Sequence, residues 1–130
     1  MTEKATGIII VDHGSRLAES NETLLLATRR FADTGAFDIV EPAHMELAQP
    51  DIATAFDRCA ARGASHVVVF PYFLSPGRHW KYDIPQLVTA AAESHPGMAW
   101  VVAAPFGLHD GMMQIIAERI HEALRDQRSL

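Results

Sequence analysis

The segment GIIIVDHGSR, residues 7–16, decides the fold. Its apolar, mostly β-branched first half predicts a buried parallel strand, and the polar and glycine residues after it predict the loop where that strand stops. A second segment, VVVFPYFLSPGRH at residues 67–79, has the same form. Each loop contains a histidine, His13 in the first and His79 in the second, and these are the first candidates for a functional site.

Apolar runs alternate with helical patterns along the sequence, as in the βαβ units of a parallel sheet. The predicted strands are residues 7–11, 38–46, 66–70 and 98–103, and the predicted helices are residues 17–33, 50–62, 83–93 and 112–126. We therefore predict an α/β fold of three layers, with a four-stranded parallel sheet of order 2-1-3-4 and helices on both faces. Pro42 favours an edge position for strand two, and Asp83 is predicted to cap the third helix, with Pro85 in its first turn.

The predicted strand order places the two histidines at one edge of the sheet. Strands one and three are neighbours in this order, and their carboxyl ends flank the switch point where ligands bind in doubly wound sheets. Neighbouring strands lie about 4.8 Å apart. Two imidazoles on the adjacent loops could therefore share one metal ion or one substrate.

Length and charge limit the classes of protein to consider. The 130 residues are predicted to form one domain, residues 1–130, and the formal net charge of -5 argues against general nucleic-acid binding, which needs a basic surface. No apolar run reaches the roughly 18 residues of a membrane span. The polar start has no secretory pattern, so we expect a cytoplasmic protein without a membrane partner. The single Cys59 fits a reducing compartment and is expected in the core.

The loop of residues 72–80 is longer than most connections between a strand and a helix. Long loops in compact α/β domains often carry function. Arg78, His79 and Trp80 lie in this loop, and Lys81 follows it directly. The alternative is that the loop only packs over the end of a helix.

Three segments together resemble a known family: HGSR at 13–16, MELAQP at 45–50 and PYFLSPGRHWKYDIP at 71–85. They resemble the class II tetrapyrrole chelatases, and most of all the short, CbiX-type sirohydrochlorin chelatases. The resemblance covers the whole chain in order, and the third segment is its most specific part. It implies a chelatase-like fold and ATP-independent insertion of a divalent metal, Co²⁺ or in relatives Fe²⁺ or Ni²⁺, into sirohydrochlorin in cobalamin biosynthesis. The metal is then a substrate, and no tightly bound cofactor is expected.

The resemblance makes His13 and His79 the pair that binds metal and accepts protons. Imidazole is a suitable ligand for late first-row divalent metals, and it can accept the protons that leave the pyrroles as the metal enters. One histidine would mainly deliver metal and the other mainly take protons, and the sequence leaves the assignment open. Glu46, at the end of strand two, is the third candidate, as a metal ligand or a proton relay. Its alternative is a solvated acid at a strand end.

Sirohydrochlorin is rich in carboxylates, so the resemblance also implies cationic and hydrogen-bond-donating groups around the site. Arginine can bind a carboxylate through two parallel hydrogen bonds. The alternative for each charged side chain is an ordinary surface charge. The candidate substrate-binding residues are Gly14, Ser15, Arg16, Arg78 and Lys81.

The remaining histidines are weighed by their position. His44 would share a face with Glu46 in an extended strand, and it is either an extra ligand or, in the favoured interpretation, an ordinary polar substitution. His109 follows strand four at the same edge of the sheet and is a further candidate. The others are expected to be surface or structural residues, namely His66, His95 and His121.

The resemblance also implies a homodimer. Short members of the family pair to build the architecture that long members make from two domains, so we expect an isologous interface with the tetrapyrrole between protomers. The apolar residues of the last helix are one candidate for this interface, although a core face would explain most of them equally well.

Three rival functions are considered. A histidine-phosphatase-type enzyme would need arginine directly before the first-strand histidine, but this position is Asp12, whose charge opposes phosphate. A flavodoxin-like protein would need a phosphate-binding loop rich in Ser, Thr and Gly after strand one, which the sequence lacks. A non-catalytic module that stores or delivers metal or tetrapyrrole would use the same residues as a chelatase, so the sequence leaves this alternative open.

Overall fold

The computed structural model describes residues 5–77 and 79–129, except for the side chains at positions 79, 80, 128 and 129. Strands and helices alternate from the first residues described to the last. The elements are β1 (Thr6–Asp12), α1 (Ala18–Asp33), β2 (Ile39–His44), α2 (Ile52–Ala61), β3 (His66–Pro71), a π-helical turn (His79–Asp83), α3 (Ile84–Ala92), β4 (Ala99–Val102) and α4 (Asp110–Ser129).

The strands form one parallel sheet of order β2-β1-β3-β4. Ile8 of β1 is paired with Val40 of β2 and Val68 of β3, and Val68 is paired in turn with Val101 of β4. The predicted α/β class and strand order are therefore confirmed. The carboxyl ends of β1, β2 and β3 lie side by side at one edge of the sheet.

Alternate residues of β1 contribute to cores on opposite faces of the sheet. Ile9 and Val11 face α2 and α3, where the larger core contains the fully buried Phe56 and Val88. Ile8 and Ile10 face α1 and form a smaller core with Leu24 and Val40. This alternation is the two-periodic pattern of a strand that is covered on both sides. The predicted burial of Cys59 is confirmed, because it is fully buried in the larger core.

Most predicted boundaries differ from the structure by one to three residues, and two of these differences bear on the site. β2 ends at His44 rather than at Glu46, because the chain bends there and Leu47 adopts a positive φ of 70°. Asp83 is not the predicted helix cap: it has helical backbone angles, and its side chain makes no capping hydrogen bond. The π-helical turn runs directly into α3, so the first N–H groups of α3 have helical backbone in front of them rather than an extended residue. Pro85 lies in the first turn of α3, as predicted.

An arginine at the end of α2 forms hydrogen bonds along the free edge of β2. Arg62 donates from Nη1 to a Glu41 carboxylate oxygen at 2.7 Å and to the Val40 carbonyl at 3.3 Å, and from Nη2 to the Asp38 carbonyl at 2.7 Å. Pro42, two residues beyond Val40, has no N–H to offer at the same edge. The edge position predicted from Pro42 is confirmed.

The last helix, α4, stands apart from the layers. It makes almost no contact with the other helices and strands. None of its described side chains is buried, and the exposed ones include Ile116 and Ile120. Among the described helices, only α1 covers the outer face of the sheet, where it lies over β1 and β2. In the part of the chain that the structure describes, no helix is both long and apolar enough to cross a membrane.

Candidate functional site

An open cleft of about 330 Å³ lies where the ends of β1 and β2 meet the start of α3. His13 is the first residue after β1, and Glu46 lies two residues after the end of β2. The opposite wall comes from the end of the π-helical turn and the first turn of α3. The lining residues are His13, Met45, Glu46, Asp83, Gln86 and Leu87.

The two candidates His13 and Glu46 face each other across this cleft. The distance between His13 Nε2 and Glu46 Oε1 is 3.5 Å, and their side chains are 45% and 59% exposed. Both side chains can therefore be reached by a ligand from solvent. An imidazole nitrogen and a carboxylate oxygen at this separation form a mixed pair that can bind a divalent cation or pass a proton between them.

Backbone hydrogen bonds fix the two loops relative to each other. The parallel ladder of β1 and β2 continues past the strand ends, with the Met45 N–H donating to the Asp12 carbonyl at 2.9 Å and the Glu46 N–H donating to the His13 carbonyl at 3.2 Å. His13 and Glu46 are thus held by the same ladder that builds the sheet. Their proximity follows from strand order and register rather than from the loops alone.

Gly14 allows this close approach. A Cβ atom at position 14 would lie 1.8 Å from the Glu46 carbonyl oxygen, and the φ angle of 92° is in the left-handed region that favours glycine. From the sequence, Gly14 is a candidate for substrate binding. The structure shows that its missing side chain also lets the first loop lie against the second.

The loop that carries Glu46 is closed at its base. The His44 N–H donates to the Pro50 carbonyl at 2.8 Å, across the five residues between them. Directly after this closure, Asp51 caps α2 and accepts a hydrogen bond from the Thr54 N–H at 2.8 Å. The Thr54 backbone N–H and then its side chain hold the pKa of Asp51 below its usual value. Helix α2 thus anchors the far end of the Glu46 loop.

The position of His44 differs from the sequence-based expectation. His44 does not share an exposed face with Glu46: its side chain is fully buried, and its Nδ1 lies 2.6 Å from an oxygen of Asp12. The other ring nitrogen, Nε2, is buried and has no hydrogen-bond partner among the described residues. Asp12 and His44 are direct partners in the β1–β2 register. That register is the signal that could have identified the pair.

Ser15 and Asn21 shape the start of α1. The Ser15 hydroxyl accepts from the Leu17 N–H at 3.0 Å, and the Ser15 N–H donates to Asn21 Oδ1 at 3.0 Å. The Asn21 side chain donates back to the Ser15 carbonyl at 2.8 Å. The backbone of Ser15 is therefore engaged within the protein, and its hydroxyl hydrogen is the group that it can still offer to a ligand.

Some of the cationic candidates lie among the described residues and one does not. Arg16 and Lys81 are exposed, and Lys81 Nζ lies 5.7 Å from the centre of the Tyr82 ring. Arg78 lies outside the described residues. His79 opens the π-helical turn, eight residues after the end of β3, and its side chain also lies outside the described part. Among the residues described, no group of three His, Cys, Asp or Glu side chains could hold a metal ion.

The other histidines have structural surroundings. His95 is 2.6 Å from an Asp57 oxygen and stacks on Phe56, near the opposite end of the sheet. His109 accepts a hydrogen bond from the Gly111 N–H at 2.9 Å at the start of α4. None of these histidines lines the cleft, and the same holds for His66 and His121.

The wall of the cleft that α3 supplies is not among the sequence-based predictions. Asp83, Gln86 and Leu87 stand at positions i, i+3 and i+4, so they lie on one face of the helical segment. This spacing was visible in the sequence. Asp83 stands just before Pro85, a pattern that is typical of a capped helix start and does not indicate a cleft wall.

The chain was compared with known proteins. The family model described as CbiX matches residues 7–123. Sirohydrochlorin ferrochelatase, chloroplastic, of Arabidopsis thaliana is 48% identical over 120 residues, which are 92% of this chain and 53% of that protein. Sirohydrochlorin cobaltochelatase of Priestia megaterium is 34% identical over 116 residues, which are 89% of this chain and 38% of that protein. The chain thus spans about half or less of the length of these two relatives.

The structure is also similar to solved structures of the same family. A cobalamin (vitamin B12) biosynthesis CbiX protein from Marinobacter aquaeolei VT8 superposes with a TM-score of 0.80 at 28% identity, covering 93% of this chain and 98% of that one. The sirohydrochlorin chelatase SirB from Bacillus subtilis subspecies spizizenii, solved in complex with cobalt, superposes with a TM-score of 0.79 at 27% identity, covering 90% of this chain and 50% of that one.

Proposed function

Because the chain belongs to the CbiX family, we propose that it inserts a divalent metal ion into sirohydrochlorin without ATP. The observation that carries this proposal is the pair of His13 and Glu46 at the mouth of an open cleft, 3.5 Å apart and accessible from solvent. Insertion exchanges two pyrrole protons for one M²⁺ ion. The site must therefore hold a cation and remove protons, and an imidazole beside a carboxylate can do both.

Three residues divide the chemistry in this proposal. His13 and His79 bind the incoming metal and accept the pyrrole protons, one mainly in each role. Glu46 relays protons between His13 and solvent, or completes the metal site. Support for Glu46 comes from its distance to His13 and from the ladder that holds both loops.

The remaining candidates bind the substrate's carboxylates. Arg16, Lys81 and Arg78 supply positive charge in a chain whose formal net charge is -5, and guanidinium groups match carboxylate geometry. Ser15 contributes its hydroxyl, because its backbone N–H is already donated to Asn21. Gly14 contributes a backbone N–H, and its lack of a side chain allows the loops after β1 and β2 to lie close together.

We propose Co²⁺ as the metal, and Fe²⁺ is the second candidate. Cobalt is the metal in the complex of the SirB chelatase from Bacillus subtilis subspecies spizizenii, and insertion of cobalt would place the chain in cobalamin biosynthesis. Iron is favoured by the name of the Arabidopsis thaliana relative, a ferrochelatase with 48% identity. Ni²⁺ binds similar ligands and is a third metal to test.

We further propose that the chain works as a cytoplasmic homodimer that binds the tetrapyrrole between protomers. The exposed apolar residues of α4 support an interface. The free, buried Cys59 is compatible with a reducing compartment.

The experiment is a time course of the absorbance spectrum of sirohydrochlorin with each metal in turn, with the uncatalysed rate subtracted. We expect multiple turnovers with the wild-type chain. His13→Ala should lower the rate about 100-fold or more and Glu46→Gln about 10-fold or more, as is usual for lost acid–base groups. His121→Ala and Glu118→Gln make the same changes at exposed positions of α4 and should leave the rate within twofold.

Two outcomes would count against the proposal. A spectral shift that stops at one equivalent of protein would indicate a binding module instead of a chelatase. A rate for His13→Ala equal to that of His121→Ala would show that the cleft is not the site of insertion. The metal that gives the highest rate above its own uncatalysed background decides between cobalt and iron.

A further inference from the structure

A buried histidine stands two residues before Glu46 and takes no part in the proposed chemistry. His44 is the last residue of β2, and its Nδ1 lies 2.6 Å from a carboxylate oxygen of Asp12, the last residue of β1. The side chain of His44 is fully buried, and that of Asp12 is 22% exposed. The other ring nitrogen of His44, Nε2, has no hydrogen-bond partner in the part of the chain that the structure describes.

The stability of the fold does not explain this pair. Burying a polar nitrogen without a partner lowers the stability, because the nitrogen loses the hydrogen bond that it makes to water in the unfolded chain. Apolar side chains at the two positions would avoid this cost, and such replacements of buried polar pairs are often neutral or stabilising. The pair before it in the same ladder, Val11 and Ala43, is apolar and fully buried. Asp12 and His44 therefore require a different explanation.

The pair joins the two strands at the point where both loops of the cleft begin. Asp12 and His44 are partners in the β1–β2 register. Beyond them the ladder continues with two hydrogen bonds, from the Met45 N–H to the Asp12 carbonyl at 2.9 Å and from the Glu46 N–H to the His13 carbonyl at 3.2 Å. Asp12 is thus held to β2 and its loop through its side chain and its carbonyl, and the next residue in the chain is His13.

His44 also contacts both loops away from this ladder. Its N–H donates to the Pro50 carbonyl at 2.8 Å, and this bond closes the loop that carries Glu46. Its Cβ lies close to Gly14, since a Cβ atom added to Gly14 would be 3.3 Å from it. Gly14 belongs to the loop that carries His13. A displacement of His44 would therefore move both loops of the cleft.

We infer that Asp12 and His44 are positioning residues, whose hydrogen bond sets the distance between His13 and Glu46. The inference rests on the proposed function, because it concerns the geometry of the same site. The side chains of His13 and Glu46 are 45% and 59% exposed, so packing restrains them little and their separation depends on the backbone beneath them. A hydrogen bond restrains both distance and direction, whereas apolar packing is not directional. Displacing reacting groups by about 1 Å can cost about 100-fold in rate.

Two variants separate positioning from stability. The double variant Asp12→Val with His44→Leu replaces the pair by apolar side chains, so the chain should be at least as stable as the wild type, whereas kcat for metal insertion should fall about 10-fold or more. His44→Asn keeps an amide group where Nδ1 lies, so it can still bond to Asp12, but its smaller side chain leaves a cavity. It should be less stable than the wild type and keep kcat within about threefold. A merely structural role would not give opposite orders of stability and kcat.

The kinetic constants should respond separately. The KM for sirohydrochlorin should stay within about threefold of the wild-type value while kcat falls, because the groups proposed to bind its carboxylates, such as Arg16 and Lys81, are left in place. The matched control removes a second histidine–carboxylate pair, in which His95 Nε2 lies 2.6 Å from an Asp57 oxygen near the opposite end of the sheet. Asp57→Val with His95→Leu should leave kcat within about twofold of the wild-type value.

Amide hydrogen exchange, measured by NMR without metal or tetrapyrrole, tests the positioning directly. The N–H groups of Met45 and Glu46 should exchange at least about 10-fold faster in the double variant than in the wild type, and at the wild-type rate in the control. Equal exchange in the double variant and the wild type, or an equal kcat, would overturn the inference. If the wild-type chain shows no turnover, the proposed function fails, and the exchange rates alone decide whether the pair positions the two loops.

Discussion

Gly14 is the position where the site tolerates no side chain. Its backbone meets the Glu46 carbonyl so closely that a Cβ atom would lie 1.8 Å from the oxygen. The loop after β1 and the loop after β2 must move apart to admit one. Because these loops carry His13 and Glu46, any such movement changes the distance between the two side chains.

Gly14→Ala should therefore lower both the stability and the proposed metal insertion. Gly35→Ala is the matched control, because Gly35 also has a positive φ, of 77°, but its Cβ would meet nothing within 4 Å. We expect about 1 kcal/mol of destabilisation for Gly35→Ala, from the left-handed backbone alone. Gly14→Ala should lose at least about 2 kcal/mol more, because a steric clash is added. Urea unfolding measures both values, and equal losses would contradict the proposed role of the clash.

At the scale of residues, His13 and Glu46 of the cleft were predicted from the sequence. The contact between Asp12 and His44 was not. His13 and Glu46 follow strands whose apolar runs are easy to recognise, so their placement followed from strand order. The contact of Asp12 with His44 joins residues 32 positions apart in the sequence. A polar residue inside an apolar run shows that a partner is needed, but only the register of the two strands identifies that partner.

Helix α2 depends on its first residue, Asp51. The carboxylate accepts from the Thr54 N–H, and this contact lowers the pKa of Asp51 below 3.8. A group whose pKa is lowered by folding stabilises the protein above its unfolded pKa, and this contribution is lost as the pH falls through the folded pKa. The cap also follows directly on the base of the Glu46 loop, so fraying of α2 would reach the site.

Asp51→Ala should destabilise the protein by about 1 kcal/mol at pH 7, the usual value for a lost N-cap. The difference from wild type should shrink when unfolding is measured well below pH 3.8, because the wild-type carboxylate is then protonated. Asp51→Asn should keep most of the cap and show little of this pH dependence. A difference between Asp51→Ala and wild type that is the same at both pH values would show that the ionised carboxylate contributes nothing.

The elements themselves were predicted well because hydrophobic periodicity is a local property. The bounds of α1 and β3 each differ from the prediction by one residue. The start of α3 was predicted less well. Asp followed closely by Pro is typical of a capped helix start, but the π-helical turn before Ile84 removes the need for a cap, and no local pattern indicated that turn.

The accessibility of the Cys59 thiol can be used to measure the unfolding of the whole molecule. Cys59 lies against β1 in the larger core, fully buried, and burial raises the pKa of its thiol to about 12. The thiol should therefore react only when the chain unfolds globally. We expect labelling by a thiol reagent at pH 8 to be at least about 1,000-fold slower than in concentrated urea, in proportion to the small unfolded population.

The same thiol gives stability a dependence on alkaline pH. Its pKa is higher in the folded chain than its ordinary value of 9.0, so above that pH only the unfolded chain ionises it readily. The free energy of unfolding should then fall as the pH rises above 9. Cys59→Ala removes this dependence and serves as the control. Rapid labelling of the native protein at pH 8 would show that the core around α2 opens locally.

At the scale of the whole molecule, the position of α4 could not be predicted from the sequence. Its periodicity predicted a helix with one apolar face, which is the structure that forms. Periodicity shows that a face is to be buried but not against which surface. The three-layer prediction has the same limit. It describes the sheet and α1, α2 and α3 correctly, but α4 lies outside these layers.

The arginine that closes β2 also limits how these molecules can aggregate. Sheets grow when a free edge strand accepts hydrogen bonds from another chain. On this edge the carbonyls of Asp38 and Val40 are already bonded to Arg62, and Pro42 has no N–H to donate. A foreign strand would therefore find the carbonyls of Asp38 and Val40 already bonded and no donor at Pro42. Removing the guanidinium, as in Arg62→Ala, would free the two carbonyls and open this edge to fibril-like growth.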